Sequence, residues 1–124
     1  MKRAVMMLSV LVCATMLAFY LFFSPQPEPK SQEAQVLIRV YENALSILRA
    51  DTGTLPSSES GIRQLVSNLD SMENWQGPYV GLIKSDPWGN SFIYKRIDIS
   101  ATGYHLYSSG ENGIDENGRG DDIN

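Results

Sequence analysis

From Ala4 to Phe23 the chain carries no charge, and nearly every side chain is apolar. A stretch of about 20 such residues is what an α-helix needs to cross a bilayer core of roughly 30 Å. Lys2 and Arg3 precede it, and no further basic residue occurs until Lys30. The positive-inside bias therefore puts the N-terminus in the cytoplasm and everything after Ser24 across the membrane. A cleaved signal peptide shares the charged start, but its apolar part is usually about 7–15 residues and ends in small side chains. Here Phe19, Tyr20, Phe22 and Phe23 fill that place. Leu11-Val12-Cys13 is a poor lipoprotein site because Val12 is bulky where a small residue is needed. The expectation is an uncleaved, single-pass membrane anchor over residues 1–23.

Residues 24–30 place proline at positions 25, 27 and 29. Each proline fixes φ and turns the residue before it away from the α region, so the segment reads as an extended linker. Residues 31–124 remain for one domain, enough for a modest core. Leu37, Val40, Tyr41, Ala44 and Leu48 recur at helical spacing, which predicts a long helix beginning near Ser31 and ending at Asp51-Thr52-Gly53. A shorter helix is expected over Ser58–Leu69, with Ile62, Leu65, Val66 and Leu69 inward. Asp86-Pro87-Trp88-Gly89 has the residue order of a type I turn. Ser91–Arg96 and Gly103–Ser109, rich in aromatic and β-branched residues, read as antiparallel partners joined around Ser100-Ala101-Thr102. The predicted fold class is α+β, a long helix packed on a small antiparallel sheet.

Composition excludes several functions. The net charge of −4 and the acidic pI of about 4.8 argue against nucleic acid as a partner. Cys13 is the single cysteine and His105 the single histidine, so neither an internal disulfide nor a zinc cluster can form. No Cys–His pair, G-x-S-x-G elbow or phosphate-cradling loop occurs. Nothing points to an enzyme or to a small-molecule substrate. His105 reads as a strand residue in a structural role.

Several stretches, in order, resemble one family: TGTLPSSESGIRQLV, NWQGPY, SDPWGNSFIY, YHLYSSGENG and the closing GDDIN. Together they are similar to the C-terminal domain of the major pseudopilin of type II secretion systems, general secretion pathway protein G, over roughly residues 41 to 124. The resemblance implies a pilin-like head in the periplasm, held at the inner membrane and partnered by other pseudopilins or secretion-system proteins. Trp75, Tyr79, Trp88, Phe92 and Tyr94 then read as core aromatics rather than binding residues. The opening segment departs from the family. It shows no glycine cleavage point, no methylatable Phe after it and no Glu five residues beyond, and three prolines interrupt the helical stem. Leu55 stands where the family usually has Tyr. Two roles follow: a structural subunit of the secretion apparatus, or a membrane-tethered periplasmic module with the same head that does not polymerise.

The last fifteen residues, GENGIDENGRGDDIN, hold five carboxylates and four glycines against one cation, Arg119. By composition alone such a terminus is a solvated tail. Its oxygens would also suit calcium, which takes 6–8 of them. The glycine spacing fits no EF-hand register. The family loop runs Ser-x-Gly-x-Asp-Gly to an acidic Asp-Ile end, and here Ser108-Ser109-Gly110-Glu111-Asn112-Gly113 and Asp121-Asp122-Ile123 match it. The resemblance thus implies a calcium site with Asn112, Asp121 and Asp122 as side-chain ligands, the chain near Ser108 as another, and Asp115 or Glu116 contributing. Asn112 stands where the family usually has Asp, which keeps an oxygen and loses a charge.

Overall fold

A computed structural model describes residues 13–20, 29–98 and 103–124. Residues 13–20 are helical and exposed. The rest of the expected anchor, linker residues 24–28 and the loop at 99–102 lie outside the described residues. Among those described, no helix is long and apolar enough to cross a membrane.

Helix α1 spans Pro29–Thr52. It therefore begins inside the expected linker, because proline suits the first helical position: its φ is preset and its missing N–H is not needed there. Beyond Pro29 the run contains no further Gly or Pro. At the other end the Gly53 N–H donates to the Arg49 carbonyl (2.8 Å), and the Thr52 hydroxyl donates to the Leu48 carbonyl. Ala34, Ile38, Tyr41, Leu45 and Leu48 are buried at steps of four and three, with Ala44 beside them. This corrects the expected stripe. Tyr41, Ala44 and Leu48 belong to it, Leu37 lies half-buried at its edge, and Val40 is exposed. The helix carries apolar residues on two sides, and only the sheet decides which side is core. Burying each leucine contributes about 1.5–3 kcal/mol.

The second helix is not the one expected. Only Gly61–Leu65 is helical, as a 3₁₀ turn. Gly61 sits at φ +55°, a conformation that no α-helix contains. Gln64 is fully buried, and its amide donates to Asn68 Oδ1 (2.8 Å) while its carbonyl oxygen accepts the Asp70 N–H (2.9 Å). These bonds turn the chain back. Ile62 and Leu65 remain in the core, Val66 is half-buried, and Leu69 is left exposed. Asp70 also collects the Ser57 N–H and the hydroxyls of Ser57 and Ser60. Burial pushes the Asp70 carboxyl up, but those donors outweigh it and hold the group below its ordinary range.

Strands β1 (Ile93–Arg96) and β2 (Tyr104–Tyr107) pair antiparallel, with Ile93 opposite Tyr107 and Arg96 opposite Tyr104. Both are shorter than the sequence pattern predicts, yet Phe92 is still buried, edge-on to Tyr41 at 5.4 Å. Tyr94 stacks on Tyr104 and donates its hydroxyl to the Pro56 carbonyl. Burial pushes its phenol up to about 12. The segment between the 3₁₀ turn and the sheet lies on this core. Trp75 donates its indole N–H to the Gln64 carbonyl, Tyr79 donates to Asp51, and the Tyr41 hydroxyl accepts the Lys84 N–H. Trp75 and Tyr79 are half-buried against the cluster, whereas Trp88 is half-buried outside it. The Gly77–Pro78 peptide is cis.

The two sides of α1 predict different mutational costs. Leu48→Ala should lower stability by about 2–5 kcal/mol, the range for a leucine in a packed core. Val40→Ala should fall within about 0.5 kcal/mol. Denaturant titration of the detergent-solubilised chain, followed by circular dichroism, checks both; equal costs would contradict this assignment of faces.

Candidate functional site

The residues that organise the C-terminal loop begin outside it. At Asp86-Pro87-Trp88-Gly89 the Gly89 N–H donates to the Asp86 carbonyl (2.9 Å), as expected for the turn. The Asp86 carboxylate is buried. Its Oδ1 accepts the N–H groups of Trp88 and Asn90, and its Oδ2 accepts the Ser108 hydroxyl at 2.5 Å. Ser108 Oγ in turn accepts the Gly110 N–H. The backbone of Ser108 exchanges two hydrogen bonds of 2.9 Å with Ile123, and the Asn90 amide donates to the Gly110 carbonyl. Residues 110–124 are thus folded against the sheet. Gly110 stands where any Cβ would collide with the Asp121 carbonyl oxygen, so this close return of the chain requires glycine.

Within the loop, three carboxylates have separate surroundings. Asp115 lies over the outer face of the sheet. Its Oδ2 pairs with Lys95 Nζ at 2.7 Å, and its Oδ1 accepts from the Tyr107 hydroxyl and the Asn117 N–H. The Lys95 ammonium, then Tyr107 and Asn117, hold the Asp115 carboxyl at about 2. Asp121 accepts from both the backbone and the side-chain amide of Asn112. Asp122 is buried, and its Oδ2 accepts the N–H groups of Glu116 (3.0 Å) and Gly118 (2.7 Å). Its Oδ1 is buried without a hydrogen-bond partner. A buried carboxylate oxygen with nothing to accept from is costly, and it is the feature of the loop that a cation would relieve.

Of the five residues read from sequence as ligands, Asn112 and Asp121 are brought into direct contact, and Asp122 follows Asp121 in the chain. Ser108 commits its hydroxyl to Asp86, and Asp115 turns to Lys95 and Tyr107. Among the described residues no three His, Cys, Asp or Glu side chains form a group able to hold a metal ion. Glu116 accepts the Asp121 N–H (3.2 Å) and so supports the loop from within. Asp86 is the residue that sequence reasoning missed. Its turn position was legible, but nothing in the local pattern says that its second oxygen reaches Ser108, 22 positions away.

The Asp115 contacts make a pH-dependent prediction. Its folded pKa lies below the ordinary carboxylate value of 3.8, so its contribution is complete above about pH 4 and is lost as pH falls toward 2. The melting temperature should therefore drop over that window. The part due to Asp115 should shrink in Lys95→Ala; an unchanged acid profile in that variant would remove Lys95 as the cause.

Comparison with known proteins agrees with this geometry. Residues 22–124 match the family described as type II secretion system protein G. The type II secretion system core protein G of Vibrio cholerae serotype O1 is 32% identical over 66 residues, which are 51% of this chain and 45% of that protein. The chain thus spans under half the length of this curated relative. In fold, the crystal structure of the major pseudopilin from the type 2 secretion system of enterohaemorrhagic Escherichia coli superposes with a TM-score of 0.66 at 22% identity. The superposition covers 80% of this chain and 90% of that one. On the match running from residue 22 to residue 124, the chain belongs to the type II secretion system protein G family.

Proposed function

We propose that the chain is a structural subunit of a type II secretion pseudopilus, tethered at the inner membrane by its N-terminal segment, with a periplasmic head stabilised by calcium. The observation that carries the subunit reading is a second apolar line on α1. Val36, Val40 and Ile47 are 60%, 46% and 56% exposed. At 3.6 residues per turn they share the side of the helix opposite Ala34, Ile38, Tyr41, Leu45 and Leu48. Their steps of four and seven, with Asn43 between, follow the spacing of a helix–helix seam. Left in water, such a line forgoes about 25 cal/mol for every Å² it could bury. Arg39 flanks it on one side and Glu33 on the other, so neighbouring helices can meet with opposite charges aligned. Amine crosslinking of the full chain in membranes tests this. A ladder of oligomers that disappears in Val40→Glu is expected, and a monomer or a single heteromeric band would favour a tethered module that does not polymerise.

The donors in the tail suit a hard cation, because carboxylate, amide and backbone oxygens are what calcium takes. Asp122, through the oxygen that lacks a partner, would hold the ion together with Asp121, Asn112 and an oxygen from the chain near Ser108. The ion would supply positive charge among carboxylates that otherwise repel. Asp115 would stay with Lys95. Extracellular calcium modules work at roughly 10⁻⁴–10⁻³ M. At 100 times the dissociation constant, an ion bound only by the folded state adds about 2.7 kcal/mol. Calcium at 10 mM should therefore raise the melting temperature of the full chain, magnesium should do so less, and Asp122→Asn should abolish the difference between calcium and chelator. A melting temperature unmoved by calcium would leave the loop as a purely hydrogen-bonded fold.

A further inference from the structure

We infer that Asn112-Gly113 is a site of spontaneous covalent modification, at which Asn112 loses its side-chain nitrogen as ammonia and becomes a carboxylate. Asn112 and Asn117 alone among the asparagines precede a glycine. Asparagine is a chemically labile residue. It is most labile before glycine, where no Cβ obstructs the next backbone nitrogen as it swings onto the side-chain carbonyl. The reaction needs only water. The Gly113 nitrogen gives its proton to solvent base and bonds to Cγ of Asn112. The Cγ–Nδ2 bond then breaks, and that nitrogen leaves, protonated, as ammonia. The cyclic imide so formed takes up water. Opening at Cγ gives aspartate, and opening at the main-chain carbonyl gives isoaspartate, with the chain rerouted through the side chain.

In sequence the two Asn-Gly pairs are alike; their surroundings are not. Asn112 and Gly113 are both exposed, and the Gly113 N–H has no acceptor among the described residues. Asn112 Oδ1 accepts the Ile114 N–H (2.7 Å), which folds the side chain back along the peptide that follows it. That N–H also faces the oxygen on which charge gathers as the ring closes. At the second pair, the Gly118 N–H donates to Oδ2 of the buried Asp122 at 2.7 Å, and Asn117 Oδ1 accepts from Lys95 Nζ at 2.8 Å. A carboxylate on the Gly118 N–H opposes the negative charge that its nitrogen must acquire. Lys95 holds the Asn117 side chain toward β1. The fold thus leaves Asn112 reactive and shields Asn117.

The product changes what the loop needs, and this consequence rests on the calcium reading above. Asn112 donates to Asp121 through both its backbone N–H and its side-chain amide. Either product replaces that amide donor with a carboxylate, so like charges face each other. Asp121 is followed by Asp122, one of whose oxygens already lacks a partner. A cation relieves such a group of carboxylates. A loop closed by its own hydrogen bonds is thereby turned into one that closes on an ion.

The test is to hold the full chain in detergent at mildly alkaline pH and cleave it after Glu111 and Glu116, which places the two asparagines in separate peptides, 112–116 and 117–124. Mass spectrometry should find Asn112 modified about tenfold or more faster than Asn117. In denaturant the two rates should become similar. An intact Asn112, or equal rates in the folded chain, overturns the inference. Asn112→Asp supplies the aspartate product alone. It should melt below the parent chain in chelator, and calcium should raise its melting temperature by more than it raises the parent's. Selective modification with no calcium shift in either chain defeats the calcium reading and leaves the modification site standing. A calcium shift with Asn112 intact does the reverse.

Discussion

The buried carboxylate of Asp86 fastens its own turn to the end of β2. It caps its own turn through the N–H groups of Trp88 and Asn90, and it takes the Ser108 hydroxyl at the end of β2. Removing it would leave three donors without their acceptor, at about 1–3 kcal/mol for each one that stays dry. The position of the tail follows from this bond. With Ser108 held, Gly110 and Asn90 meet, Ile123 pairs back onto Ser108, and the Asp121 carbonyl comes so close to Gly110 that no side chain fits between.

Much of this architecture was legible because it is local. The spacing of apolar residues announced α1, the Asp-Pro-Trp-Gly order announced the turn, and the aromatic runs announced both strands. What failed was decided at a distance. Val40 matched the helical period as well as Leu45 did, and only the placement of the sheet sent one outward and the other inward. The run from Ser58 to Leu69 has the pattern of an α-helix, but Gly61 takes a left-handed conformation and the Gln64 amide bonds Asn68 and Asp70 across the turn. Asp115 and Asp122 looked alike as acidic loop residues. One is tied to Lys95 and Tyr107, which come from two different strands, and the other is buried with one oxygen unpartnered. No spacing rule within the loop separates them.

The family match runs from residue 22 to residue 124 and so includes the whole head. Its signature stretches do structural work: Trp75 and Tyr79 close the segment over the core through Gln64 and Asp51, and Phe92 and Tyr94 join the sheet to α1 and to Pro56. Val36, Val40 and Ile47, on the exposed side of α1, take no part in that structural work.

The pairing of Ile123 with Ser108 has a consequence for the order in which the head is made. The backbone hydrogen bonds of α1 close within its own length, and β1 and β2 both lie between Ile93 and Tyr107. The tail, however, locks onto β2 only when residue 123 is present. Until then Asp86 and Ser108 can meet, but the stretch that covers Gly110 has nothing to lie against. A chain made from its N-terminal end can thus pair its two strands before the acidic closure is possible. That closure comes last, when nearly the whole sequence has been made.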